Sequence, residues 1–101
     1  MTQVRRLLIS GVVQGVGFRY SMVAQARLLG VTGWVRNRRD GRVEAMVSGD
    51  AAQIEAMLAW SRIGPPGGAV DRVVVESAQE ITNHNPVDPV VSLASGVMQL
   101  I

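Results

Sequence analysis

The chain has 101 residues, with ten basic and eight acidic side chains, one His and no Cys. That length fits one compact unit spanning 1–101, and the missing Cys removes disulfide frameworks, thiol nucleophiles and thiolate metal sites together. All ten basic residues are Arg, so the isoelectric point near 10.4 reflects the absence of titrating Lys rather than a polycation; at a net charge of +2, nucleic-acid backbone binding is not implied.

In chain order, Met1 to Arg6 and the short apolar run Leu7-Leu8-Ile9 fall far below the roughly 20 apolar residues of a membrane span, and no cleavage pattern follows. The expectation is a cytoplasmic monomer without a membrane partner. Residues 4–12 are rich in branched side chains and end near Gly11, which predicts a buried strand. Gln14-Gly15-Val16-Gly17 is too rich in Gly for an element interior. Met22, Val23, Ala26 and Leu29 then recur at helical spacing before Gly30, which predicts a helix over 19–30.

Residues 31–38 and 42–48 flank Asp40-Gly41, a strong hairpin signal. Val43, Ala45 and Val47 alternate with Glu44, Met46 and Ser48, as in a strand covered on one face. Asp50 with Gln53 three residues on reads as a capping box. The stripe Ile54, Met57, Leu58 belongs to a helix that Gly64-Pro65-Pro66 ends. Residues 70–76 form another strand, 81–96 an irregular loop, and 97–101 a short final strand lacking aromatic and charged residues. The order βαββαβ predicts an α+β, ferredoxin-like split βαβ sandwich: an antiparallel sheet with two helices on one face.

The loop Gln14 to Arg19 joins a strand end to a helix start. Paired glycines let backbone N–H groups converge, the helix N-terminus favours an anion, and Arg19 can grip two of its oxygens. By residue type alone, a tight turn with a solvent-facing Arg is the favoured reading. Asn37 shares strand parity with Val31, Gly33 and Val35; it belongs either to a site beside the sheet end or to the Asp40-Gly41 turn.

The wording of the chain is more specific. Val12-Val13-Gln14-Gly15-Val16-Gly17-Phe18-Arg19, then Gly33-Trp34-Val35-Arg36-Asn37, Asp40-Gly41-Arg42-Val43-Glu44 and Val70-Asp71-Arg72-Val73, closely resemble the acylphosphatase family over residues 5–76. The resemblance implies metal-independent hydrolysis of small acyl phosphates to a carboxylate and inorganic phosphate, with no cofactor. It also implies that Arg19 binds the phosphate, that the amides of Gly15, Val16, Gly17, Phe18 and Arg19 complete the cradle, and that Asn37 positions the attacking water. The alternative is a non-catalytic ferredoxin-like module binding an anionic ligand or a protein partner; the short chain without a zinc-finger pattern argues against a domain of a larger carbamoyl-transfer maturation protein.

The remaining polar residues carry blander expectations. His84 lies in a Pro- and Asn-rich loop without ligand partners. Arg36, Arg38, Arg39 and Arg42 read as solvated charges around the hairpin, and Glu44 and Glu55 as outward-facing. Phe18, Trp34 and Trp60 read as packing residues.

Overall fold

A computed structural model describes residues 2–77 and 98–100. The elements are β1 (Gln3–Val12), α1 (Phe18–Leu29), β2 (Thr32–Asn37), β3 (Val43–Gly49), α2 (Ala51–Ile63), β4 (Ala69–Ser77) and β5 (Met98–Leu100). The sheet order is β4-β1-β3-β2-β5. The first four strands pair antiparallel, as the βαββαβ pattern requires. β5 departs from the antiparallel expectation: it runs parallel to β2, with Gly33, Trp34 and Val35 opposite Met98, Gln99 and Leu100. It covers the outer edge of β2, which would otherwise present unpaired N–H and C=O groups. The expected loop over 81–96, His84 and the outermost residues of the final strand lie outside the described residues. Among the described residues no helix is long and apolar enough to cross a membrane.

Both helices cover one sheet face because alternation puts Leu7, Ile9, Val35, Val43, Ala45 and Val47 on it, against Phe18, Met22 and Ala26 of α1 and Ile54 and Met57 of α2. Gly30 caps α1. The capping box is present: the Gln53 backbone N–H donates to Asp50 Oδ1 at 2.8 Å, and the Asp50 N–H donates to Gln53 Oε1 at 2.8 Å. Gln53 Nε2 also donates to the Leu29 carbonyl at 3.0 Å, tying the start of α2 to the end of α1. Gly11 does not end β1. It sits at a register shift against β4 with φ of 124°, where a Cβ would lie 2.2 Å from the Ala69 carbonyl oxygen. A bulge there needs glycine.

The helix-free face is charged and closed. Glu44 points to that face as its outward-facing reading expects, yet it is only 1% exposed. Arg36 Nη2 lies 2.6 Å and Arg38 Nη1 3.4 Å from Glu44 Oε1, and Arg6 Nε lies 2.9 Å from Oε2. The Arg6 N–H is not aligned for a hydrogen bond at that distance, so this contact is an ion pair. Arg6 also reaches Glu76 at 3.5 Å. Charges of alternating sign therefore cross β4, β1, β3 and β2 in turn, and Arg36 and Arg38 are paired rather than merely solvated. Glu55 is exposed, as expected.

Replacing Glu44 by Gln keeps the shape but takes the buried carboxylate away from three guanidinium groups, leaving Arg6 with Glu76 and Arg38 with Asp40. Breaking a buried ion pair from one side costs about 3 kcal/mol or more. Urea unfolding of Glu44→Gln is expected to show that loss, and a change under about 0.5 kcal/mol would contradict it.

The β2–β3 turn is held by Asp40, which accepts from the Arg42 backbone N–H at 3.0 Å and from Arg42 Nη2 at 2.8 Å, with Arg38 Nε at 3.0 Å. The Arg42 side chain first, then its backbone N–H, hold the Asp40 carboxyl well below the usual carboxylate range. Because the folded-state value is depressed, the stabilisation is present above the ordinary value of about 3.9 and is lost as pH falls below it. Asp40→Asn is therefore expected to melt lower than the parent at about pH 7, with the gap closing at about pH 2. A gap independent of pH would contradict this.

Candidate functional site

The segment between β1 and α1 is pinned at three points and open between them. Val13 and Phe18 are buried at 1% and 2% exposure. Val16 packs partly buried against the core. Gly15 and Gly17 stand between these anchors with φ of 76° and 77°. A Cβ at either glycine would meet nothing within 4 Å, so what selects glycine is the left-handed backbone. The chain thus turns twice in four residues while Val16 faces inward and the glycines face outward.

Gly17 is the N-cap of α1. It makes no side-chain capping bond, and no acidic residue lies in the first turn. The leading N–H groups of α1 therefore keep their positive end uncompensated by a carboxylate. Phe18, whose ring is 5.3 Å from that of Trp60 with planes at 59°, anchors this turn; Phe18 and Trp60 are packing residues, as expected, and so is Trp34 at 6% exposure. Arg19 follows as the second residue of the helix.

A concavity of about 210 Å³ is lined by Val13, Gly15, Gly17, Phe18, Arg19, Tyr20 and Asn37. It brings Arg19 and Asn37, predicted from separate segments, to one place. Val16 is absent from the lining because its side chain is directed to the core. Asn37 ends β2 opposite Val43. The side-chain hydrogen bonds within the neighbouring turn join Asp40 to Arg38 and Arg42, and Asn37 is not among their partners. Among the described residues, no three His, Cys, Asp or Glu side chains gather where they could hold a metal ion.

Besides Val13, which lines the concavity, two residues of the site escaped the sequence reading. Tyr20 is 70% exposed on the rim, and only the placement of the helix start reveals it. Gln14 is the other. Its Nε2 donates to the carbonyls of Arg38 at 2.8 Å and Arg42 at 3.0 Å. These two residues close the base of the β2–β3 turn, where the Arg38 N–H donates to the Arg42 carbonyl at 2.8 Å. One side-chain amide thereby ties the glycine loop to the hairpin one residue beyond Asn37. Nothing in the residue type announces this, since the partners are backbone carbonyls distant in sequence.

Gln14→Met keeps the length and removes both donors. A misplacement of about 1 Å is worth up to about 100-fold in rate. In an assay of the acyl phosphate hydrolysis that the family resemblance implies, the variant is expected to show kcat lowered roughly 10- to 100-fold and KM changed less than about threefold. An unchanged kcat would show that the tie is structural only.

The comparisons with known proteins agree with this geometry. A model of the acylphosphatase family matches residues 5–87. The chain is 54% identical over 74 residues to an acylphosphatase of Acidovorax sp. (strain JS42), covering 73% of this chain and 76% of that protein. It is 54% identical over 77 residues to an acylphosphatase of Thermococcus kodakarensis, covering 75% and 85% respectively. Among solved structures, the acylphosphatase from Bacillus subtilis superposes with a TM-score of 0.80 at 28% identity, covering 100% of this chain and 99% of that one. The acylphosphatase from Coxiella burnetii also gives 0.80, at 30% identity, with 99% and 93% covered. Full-length HypF shares the fold at 23% identity and a TM-score of 0.75, and the chain spans 12% of it. Family model, relatives and structures converge, and the chain belongs to the acylphosphatase family.

Proposed function

We propose that this chain is an acylphosphatase, hydrolysing the carboxyl–phosphate bond of small acyl phosphates by in-line attack of water, with Arg19 and Asn37 as its catalytic residues. The observation that carries the reading is the convergence of the glycine loop, Arg19 and Asn37 on one concavity of about 210 Å³.

The chemistry needs few groups. The phosphoryl oxygens sit against the amides of Gly15 to Arg19, and the Arg19 fork holds two of them. Asn37 orients water through one acceptor and two donors. A water oxygen–phosphorus bond forms as the phosphorus–acyl oxygen bond breaks, and the electron pair leaves with the carboxylate. The water proton passes to a phosphoryl oxygen. Because the leaving carboxylate has a pKa of about 4 to 5, it departs without a general acid. Positioning and charge stabilisation then supply most of the rate. The positive potential comes from Arg19 and backbone dipoles, and the scheme uses no metal. A module that merely bound an anion would account for the cradle but not for Asn37 on the same concavity.

Benzoyl phosphate hydrolysis with excess chelator, comparing the parent with Arg19→Lys, tests this directly. Lysine keeps the charge and loses the fork. The parent is expected to be indifferent to chelator and the variant to lose roughly 100-fold or more in kcat/KM. Abolition by chelator, or a variant within about threefold of the parent, would overturn the reading.

A further inference from the structure

Gln14 fixes where the glycine loop stands relative to Asn37, but not the shape of the loop itself. That shape has a support on the opposite side. In the sheet, β1 lies between β4 and β3. Gln14 reaches across the β3 side, to the base of the β2–β3 turn. On the other side β4 starts where β1 ends, with Ala69 opposite Val12. The turn that leads into β4 therefore stands beside the loop that leaves β1.

That turn, Gly64 to Gly68, is short and stiff. The Gly64 N–H donates to the Trp60 carbonyl at 2.8 Å and the Gly68 N–H to the Pro65 carbonyl at 3.1 Å. Pro65 is buried, and Pro65 and Pro66 fix φ at consecutive positions. The turn meets the loop at both of its anchors. A Cβ on Gly64 would lie 3.0 Å from Phe18 Cε2, and one on Gly68 would lie 3.2 Å from the Val12 carbonyl oxygen and 3.5 Å from Val16 Cγ2. Gly64 has a left-handed φ of 71°, which selects glycine by itself. Gly68 does not, so what selects glycine there is lack of room, and its nearest neighbour is the end of β1. Val16, the residue between the two left-handed glycines of the loop, thus rests a methyl group on a bare backbone position of the turn. With that side chain directed inward, Gly15 and Gly17 on either side of it line the concavity.

We infer that Val16 and Gly68 are positioning residues: the Val16 side chain, seated against Gly68, holds the curvature that makes the amides of Gly15 to Arg19 converge on the phosphate. This deepens the acylphosphatase reading and rests on it. Those amides meet the phosphoryl group in substrate and product alike. Loosening the seat therefore removes binding common to all states and raises KM more than it lowers kcat, the reverse of the Gln14 signature. The test measures the Kd of inorganic phosphate by calorimetry, and kcat and KM for benzoyl phosphate, in the parent, Gly68→Ala, Val16→Ala and Gly30→Ala. All are compared at a temperature where circular dichroism shows them folded. Gly68→Ala and Val16→Ala are each expected to raise Kd and KM about fivefold or more, as for weakened hydrogen bonds to a charged group, with kcat within about threefold. Gly30→Ala strains the left-handed C-cap at the other end of α1; it is expected to melt lower and to keep Kd and KM within about twofold. If Gly68→Ala does not fold, Val16→Ala, which only removes methyl groups, decides alone. Kd and KM unchanged in Val16→Ala or in a folded Gly68→Ala, a loss in kcat alone, or an equal loss of affinity in Gly30→Ala would overturn the inference while leaving hydrolysis intact. A parent that binds phosphate without hydrolysing benzoyl phosphate would overturn the acylphosphatase reading and leave the Kd values to decide the seat. A parent that does neither would overturn both.

Discussion

The site depends on a single neutral amide. The glycine loop leaves the sheet from β1, whereas Asn37 ends β2, and β3 lies between those strands in the sheet. Val43 of β3 lies opposite both Ile9 and Asn37 and aligns the strand ends, but no strand pairing joins the loop itself to the β2–β3 turn. Gln14 does, by giving both hydrogens of its Nε2 to the carbonyls that close the β2–β3 turn. A charged side chain would serve less well there. A carboxylate could not donate, and a cation would compete for the substrate anion with Arg19 in its proposed phosphate-binding role. An amide registers the two segments to within hydrogen-bond tolerance and leaves the electrostatics of the cradle to Arg19 and the helix start.

Four of the ten arginines follow the same economy. Guanidinium groups are used where several oxygens or several partners must be met at once. Arg6 bridges Glu44 and Glu76, Arg36 and Arg38 close over Glu44, and Arg42 clasps Asp40. These contacts stiffen the helix-free face and the hairpin, the two features that fix the end of β2. The charge layer thus supports the site from behind, and Arg19 faces the concavity in front.

Much of the architecture was legible because each device is local. The α2 capping box, the Gly30 stop and the alternation of Val43, Ala45 and Val47 each depend on neighbours a few residues away. The cradle and Asn37 were readable as candidates, and the family wording singled them out, the loop from a favoured bland reading and Asn37 from an equal one. What escaped depends on distant backbone. Gln14 acts on carbonyls, which leave no trace in side-chain pattern. Glu44 has the parity of an outward residue, and only the arginines of β1 and β2 bury it. Gly11 looked like a strand end because a bulge and a terminus ask for the same residue. Met98-Gln99-Leu100 carries no signal of the direction in which β5 pairs with β2.

The central claim is that catalysis here is registration: Gln14 contributes to rate by holding the loop in place relative to the water on Asn37. A double-mutant cycle on kcat with Gln14→Met and Asn37→Ala measures that coupling most directly. The account predicts that, once Asn37 is gone, removing the Gln14 donors slows the enzyme by less than about twofold further, so the double variant matches Asn37→Ala alone. Rate losses that simply multiply would show that Gln14 and Asn37 act independently, and would contradict it.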